Sequence, residues 1–129
     1  MIVADTNVWA RAFLNYDTAQ AQRARKALAD ARSKGGIFVP LIVMAELAWV
    51  LRSRWERDRV LTTLENLLQT RGVTIETPML VQEALTACRA GKGGFADQLI
   101  AQVGFANGAN EILTFDEKFA KAAKIRRLK

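Results

Sequence analysis

Short Val- and Ile-rich runs alternate with longer stretches of helical periodicity along this chain, and nothing else in the sequence narrows its folding options as much. The runs MIVA (residues 1–4), IFVP (37–40), GVTIE (72–76) and EILTF (111–115) show no strict in–out alternation, which is the pattern of strands covered on both faces. Helices are expected between them: from Asp5 to about residue 14, then over 18–33, 41–53, 57–70, 77–90 and 95–107, with a short final helix starting at Asp116. The tripeptide NYD (15–17) breaks the first pair, KGG ends the second helix, and Thr77-Pro78 reads as an N-cap followed by proline in the first turn. Pro40 stands where the third helix begins. Residues 41–53 are apolar nearly all round, which predicts a buried helix, whereas Val60, Leu61, Leu64, Leu67 and Leu68 form a one-sided stripe. The expected class is α/β, with a mainly parallel central sheet of four to five strands flanked by helices. At 129 residues with no repeat or linker, one domain spanning 1–129 is the expectation.

Composition removes whole classes of chemistry. There is no histidine and a single cysteine, Cys88, so Ser-His and Cys-His nucleophile systems and His/Cys zinc sites are excluded. One cysteine also points to a reducing, cytoplasmic setting. No basic segment followed by an apolar stretch opens the chain, and the longest apolar run, LIVMAELAWVL (41–51), is too short for a bilayer and carries Glu46. No membrane insertion is expected. GKGG (91–94) lacks the spacing and the Lys-Ser/Thr pair of a phosphate-binding loop and reads as a flexible break.

The formal charge of +6 is unevenly placed. All thirteen acids and thirteen of the nineteen Lys and Arg lie within the first 117 residues, so that stretch is neutral. The remaining KFAKAAKIRRLK carries Lys118, Lys121, Lys124, Arg126, Arg127 and Lys129 without an acid. Two readings stay open: a footprint for a polyanion such as RNA, or a solvated helix end favoured by the helix dipole. Arg52, Arg54, Arg57 and Arg59 form a second basic cluster, partly offset by Glu56 and Asp58.

Four acids keep unusual company. Asp5 ends MIVAD, Glu46 lies inside the apolar helix, Asp97 lies inside GFADQLIAQV, and Asp116 follows EILTF. Taken singly, Asp5 and Asp116 read first as helix caps at strand-to-helix junctions. Glu46 resists such a reading, because a helix apolar on every side offers it no solvated face and no cation within a turn. In an open parallel sheet, functional groups gather beyond the carboxyl ends of the strands. Four carboxylates there would raise one another's pKa values unless a cation held them. Oxygen ligands alone select a hard ion, Mg²⁺ or Mn²⁺. An acidic metal pocket on a basic chain is the combination a nuclease needs.

These residues also resemble a known family. VADTNVW with Asp5, MAELAWVL with Glu46, GFADQLIA with Asp97 and ILTFDEKF with Asp116 are similar, in order and spacing, to the PIN-domain family. Within it the likeness is to the small single-domain toxins of bacterial VapBC-type toxin–antitoxin pairs, and it covers the whole chain. The resemblance implies a PIN-like fold and an Mg²⁺- or Mn²⁺-dependent endoribonuclease acting on tRNA or ribosomal RNA, leaving a 5′-phosphate and a 3′-hydroxyl. It implies Asp5, Glu46, Asp97 and Asp116 as the catalytic and metal-binding quartet. Asp5 and Asp97 would be direct ligands, Glu46 a ligand or an orienter of the attacking water, and Asp116 would act through a bound water. Thr6, Asn7 and Thr114 would support them by hydrogen bonding. A homodimer and a cognate small antitoxin are implied as partners. Many relatives carry a further acid where this chain has Gly94, so the number of metal ions stays open.

Other Asp-bearing α/β families fail on spacing. A response-regulator receiver needs an acidic pair at the first strand and a phospho-acceptor Asp after the third. A haloacid-dehalogenase-type phosphatase needs Asp-x-Asp where this chain has Asp5 and Asn7, and a Toprim-type nuclease needs a later Asp-x-Asp that does not occur. Two alternatives remain: a non-catalytic RNA- or protein-binding module of the same fold, and a housekeeping PIN nuclease without an antitoxin.

Overall fold

The computed structural model describes residues 1–14 and 18–129, so the expected NYD break at 15–17 lies outside the described residues. The chain forms two compact units, Met1–Glu76 and Thr77–Lys129.

In the first unit the elements run α1 (Thr6–Leu14), α2 (Ala19–Ser33), β1 (Ile37–Val39), α3 (Leu41–Arg52), α4 (Arg57–Leu68) and β2 (Val73–Ile75). Strands β1 and β2 pair in parallel, with Ile37 opposite Val73 and Val39 opposite Ile75. The expected opening strand is reduced to one parallel bridge, Ile2 to Ile37. There the Ile2 N–H donates to Gly36 O (3.0 Å) and the Phe38 N–H to Ile2 O (2.8 Å). Met1, Ile2 and Val3 are exposed and only Ala4 of that run is buried, so continuous apolarity did not mean burial on both faces. Gly72 closes the sheet: its φ is +84°, and a Cβ there would stand 2.6 Å from Arg32 O.

Thr18 caps α2 by accepting the Ala21 N–H (3.0 Å), as its sequence position predicts. Pro40 is the N-cap residue of α3 and offers no side-chain acceptor. Glu76, at the end of β2, replaces it: its Oε1 accepts the Leu41 N–H at 2.8 Å. The core of this unit is made by Met44, Leu47 and Leu51 of α3 and by Leu61 and Leu64 of α4, all with 0–1% exposure. Burying a Leu side chain contributes about 1.5–3 kcal/mol, which makes this stripe the main stabilising feature of the helix pair. Helix α3 is not buried all round. Ile42, Glu46 and Trp49 lie on one solvent-facing side, with Ile42 68% and Trp49 79% exposed. The packed stripe is Val43, Met44, Leu47, Ala48 and Leu51, and the apolar residues opposite it face water.

The second unit contains α5 (Pro78–Arg89), α6 (Phe95–Ala106), β3 (Ile112–Thr114) and β4 (Ile125–Arg127), with a single 3₁₀ turn at Phe119–Lys121. Thr77 occupies the expected N-cap position of α5, but in left-handed backbone (φ 43°) and without a side-chain cap bond. Strands β3 and β4 pair in parallel, Ile112 opposite Ile125 and Thr114 opposite Arg127. Ala101, Phe119 and Ile125 form a buried cluster, packed by Phe105 and Ile112.

Two expectations are corrected in this unit. The final helix shrinks to the 3₁₀ turn, and the basic terminus becomes a strand. The pattern Ile125-Arg126-Arg127 puts one apolar side chain into the core and two charged ones outside, a signal that the run of cations hid. The architecture is α/β with six α-helices among the described residues, and its strands form two short parallel pairs.

Candidate active site

The sequence-identified acids fall into two groups, one in each unit. In the first, α1 begins directly after Asp5, and Asp5 caps it: Oδ1 accepts the Val8 N–H at 3.2 Å. The positive end of the helix dipole favours a carboxylate there. Its other oxygen, Oδ2, has no hydrogen-bond partner among the described residues. Thr6, the first residue of α1, donates its hydroxyl to Glu46 Oε1 at 2.7 Å. That bond ties the exposed carboxylate of α3 to the residue next to Asp5. Glu46 is therefore held by a hydrogen bond, and not, as its apolar flanks imply, by burial; its side of α3 is solvated. Asn7 is exposed on the first turn of α1.

In the second unit Asp97 and Asp116 face each other electrostatically. Asp97 is the third residue of α6, whose N-cap is Gly94. Burial raises the Asp97 pKa above its ordinary value and the negative charge of Asp116 raises it further, while a hydrogen bond from the Gly94 backbone pulls it down. That bond is the reach-back half of a capping box.

Asp116 follows β3 and caps the 3₁₀ turn, its Oδ1 accepting the Phe119 N–H at 2.9 Å. Its own N–H donates to Thr114 Oγ1 at 3.0 Å, so Thr114 fixes the backbone that carries the carboxylate. No Lys or Arg forms an ion pair with Asp5, Glu46, Asp97 or Asp116 among the described residues. Within each unit, no group of three or more carboxylate, His or Cys side chains is close enough to hold a metal, again among the described residues.

The glycine-rich segment between α5 and α6 has a packing role. A Cβ on Gly93 (φ +96°) would meet Phe119 backbone and side chain at 3.0 Å, so only glycine lets this segment lie against the turn capped by Asp116. Gln98, 1% exposed, reinforces it by donating its side-chain amide to Lys92 O. Sequence reading missed Gln98 and Glu76. For Gln98 the available signal was a polar residue on the buried stripe of α6, between Phe95 and Leu99. For Glu76 it was a helix start whose Pro40 cap has no acceptor.

The terminal cations are unequal. Arg126 donates to both carboxylate oxygens of Glu111 (3.0 and 3.3 Å), which lowers the Glu111 pKa. Arg127 lies 3.9 Å from Glu117, while Lys118, Lys121 and Lys124 are exposed.

Residues 2–125 match the family described as PIN domain, and the chain belongs to that family. Over 112 residues it is 25% identical to a VapC ribonuclease of Aquifex aeolicus (strain VF5), covering 84% of this chain and 83% of that protein. Among solved structures it is similar to VapC20 of Mycobacterium tuberculosis, a Sarcin-Ricin loop cleaving toxin, with a TM-score of 0.47, 19% identity and 96% of each chain covered.

Proposed function

We propose that this chain is a metal-dependent endoribonuclease of the VapC type, acting as the toxin of a toxin–antitoxin pair. One observation carries the reading: Asp97, at the start of a helix, feels the negative charge of Asp116 beyond the end of a strand, and neither acid pairs with a Lys or Arg among the described residues. A carboxylate whose ionised form is disfavoured by burial and by a neighbouring negative charge is a candidate functional group. The donor set fits a hard divalent ion, since it is all oxygen and leaves Oδ2 of both Asp5 and Asp116 without a hydrogen-bond partner among the described residues. Membership of the PIN family and the likeness to a VapC ribonuclease support the same reading.

In this proposal residues 1–129 work as one PIN-like nuclease domain, and Asp5, Glu46, Asp97 and Asp116 are its catalytic carboxylates. When bound there, Mg²⁺ or Mn²⁺ supplies an activated water and stabilises charge on the phosphoryl oxygen. Asp5, through Oδ2, and Asp97 would hold the ion. Glu46, positioned by Thr6, keeps Oε2 available to orient the attacking water. Asp116 is held in place by Thr114, and Asn7 provides a further hydrogen bond. Lys118, Lys121 and Lys124, with Arg126 and Arg127, attract the RNA, either tRNA or ribosomal RNA. A cognate small antitoxin silences the site, the working form is a homodimer, and the setting is the cytoplasm.

The test is cleavage of total tRNA and ribosomal RNA by purified protein in Mg²⁺ or Mn²⁺, against EDTA and against Asp97→Asn, with circular dichroism confirming the fold. Cleavage that needs the metal and is lost in Asp97→Asn is the expected outcome. Equal cleavage in EDTA or in the variant overturns the proposal.

A further inference from the structure

Arg59 of the second basic cluster, which the carboxylate chemistry does not use, lines a cleft of about 300 Å³ in the first unit. Phe13 of α1 and Trp55 of the α3–α4 turn form its aromatic wall, with ring centroids 6.2 Å apart and an edge-on angle of 74°. Trp9 stacks behind Phe13 at 6.3 Å and fixes that ring. The Arg59 guanidinium lies 3.8 Å from the centroid of the Trp55 ring. Opposite these stand Thr63, Asn66 and Thr70 of α4 and its end. Thr63 and Thr70 donate their hydroxyl protons to the carbonyls of Arg59 and Asn66, so towards the cleft they offer oxygen acceptors. The Asn66 side chain is exposed and offers one acceptor and a pair of donors.

We infer that this cleft is a subsite for one unstacked base of single-stranded RNA. Each wall has a partner on a nucleotide. A planar guanidinium resting on indole presents its outer face to a second planar π system, and base stacking on aromatic or Arg surfaces is tolerant of sequence. The Asn66 amide matches the mixed donor–acceptor edge of a base, and the Thr oxygens accept from exocyclic amino groups. Arg52, whose guanidinium donates to Trp55 O at 3.1 Å, and exposed Arg54, next to Trp55 in sequence, are the cations to meet the flanking phosphates. The volume is at the lower bound of ligand pockets, roughly 300–1,000 Å³. It suits a base turned out of a loop and not a duplex. The guanidinium resting on indole and the exposed Arg52 and Arg54 near Trp55 in sequence favour a polyanion carrying planar bases over an apolar peptide anchor, so RNA is the occupant.

The inference rests on the ribonuclease reading for its substrate class, and its test is independent of catalysis. A fluorescein-labelled single-stranded RNA of about twelve nucleotides is titrated in EDTA, so that no cleavage occurs, and followed by anisotropy. Trp55→Ala is expected to weaken binding about 5- to 100-fold, and Trp55→Phe, which keeps a stacking face and guards against misfolding, by less than about threefold. Arg59→Gln should weaken binding several-fold. An oligomer carrying 5-bromouridine should photocrosslink to Trp55 or Phe13. Equal affinity in Trp55→Ala and Arg59→Gln, crosslinks mapping only elsewhere, or an acidic peptide binding the cleft while RNA does not, each overturns the subsite. Trp55-dependent RNA binding without metal-dependent cleavage keeps the subsite and refutes the nuclease, whereas cleavage with unchanged RNA affinity in both variants does the reverse.

Discussion

Replacing Asp97 by Asn separates a carboxylate kept for metal from one kept for stability, because the two roles predict opposite thermal shifts. In the metal-free protein Asp97 works against the fold: burial and the Asp116 charge both raise its pKa above the ordinary 3.8. An acid with a raised native pKa binds its proton more tightly when folded, so stability falls as pH rises from the ordinary value through the raised one. The amide has no such cost. Its advantage is absent below about pH 3.8, where Asp97 is protonated in both states, and complete above the native pKa. Relief of a partly solvated like-charge contact is worth about 0.5–1 kcal/mol. Loss of the charged partner of the Gly94 N–H returns about 0.3–0.5 kcal/mol of that. The net gain, from about zero to about 0.7 kcal/mol, corresponds to at most about 3 °C in melting temperature for a chain of this size. With metal at a hundred times its dissociation constant, the wild type gains about 2.7 kcal/mol and the variant little, so the order of the two melting curves reverses. Differential scanning fluorimetry in EDTA and in Mn²⁺, at pH 4 and pH 8, reads all four conditions. A variant that melts lower than wild type in EDTA at pH 8, or that gains as much from Mn²⁺, would refute the reasoning.

Three further outcomes follow from named contacts. Thr6→Val removes the 2.7 Å bond to Glu46 Oε1; RNA cleavage is expected to fall at least tenfold while the melting temperature moves by less than about 3 °C, the shift of a surface hydrogen bond worth under 1 kcal/mol. Glu76→Ala leaves the Leu41 N–H of α3 without its acceptor and should cost about 1.5–3 kcal/mol in urea unfolding, with Glu76→Gln recovering most of it. Leu64→Ala empties a fully buried position and should cost about 2–5 kcal/mol with the slope of the denaturation curve unchanged.

Helices were more legible than strands, for a physical reason. The periodicity of α4 and the Thr18 cap of α2 are local, so their limits could be read within one or two residues. Each strand here is three residues long, too short for a period of two to declare itself. Apolarity was then the only guide, and it misled in both directions. It made a full strand of residues 1–4, where one bridge at Ile2 forms. It also missed Ile125–Arg127, whose single inward side chain sits among cations. Glu76 and Gln98 were out of reach for a related reason: their partners, Leu41 N–H and Lys92 O, are backbone groups, which leave no mark on composition.

Glu46 shows how a sound principle can single out a residue for a reason that the structure does not bear out. The cost of a buried, unpaired carboxylate made it stand out, yet it lies on the solvated side of α3 with Ile42 and Trp49. What distinguishes it is the hydroxyl of Thr6, forty residues away in sequence and invisible to any local pattern. Asp5 and Asp116 teach the converse. Capping was the plainer reading for each, and both do cap, through Oδ1 to Val8 and to Phe119. Capping and metal binding are not rivals at these positions. A carboxylate that gives one oxygen to a helix start has its orientation fixed before a cation arrives, and the entropy of aligning the second oxygen has already been lost in folding. The residues a cap preference singles out at strand ends are therefore good places to look for ligands. Asp116 is the sharper case, because Thr114 and Phe119 hold both its backbone and its side chain.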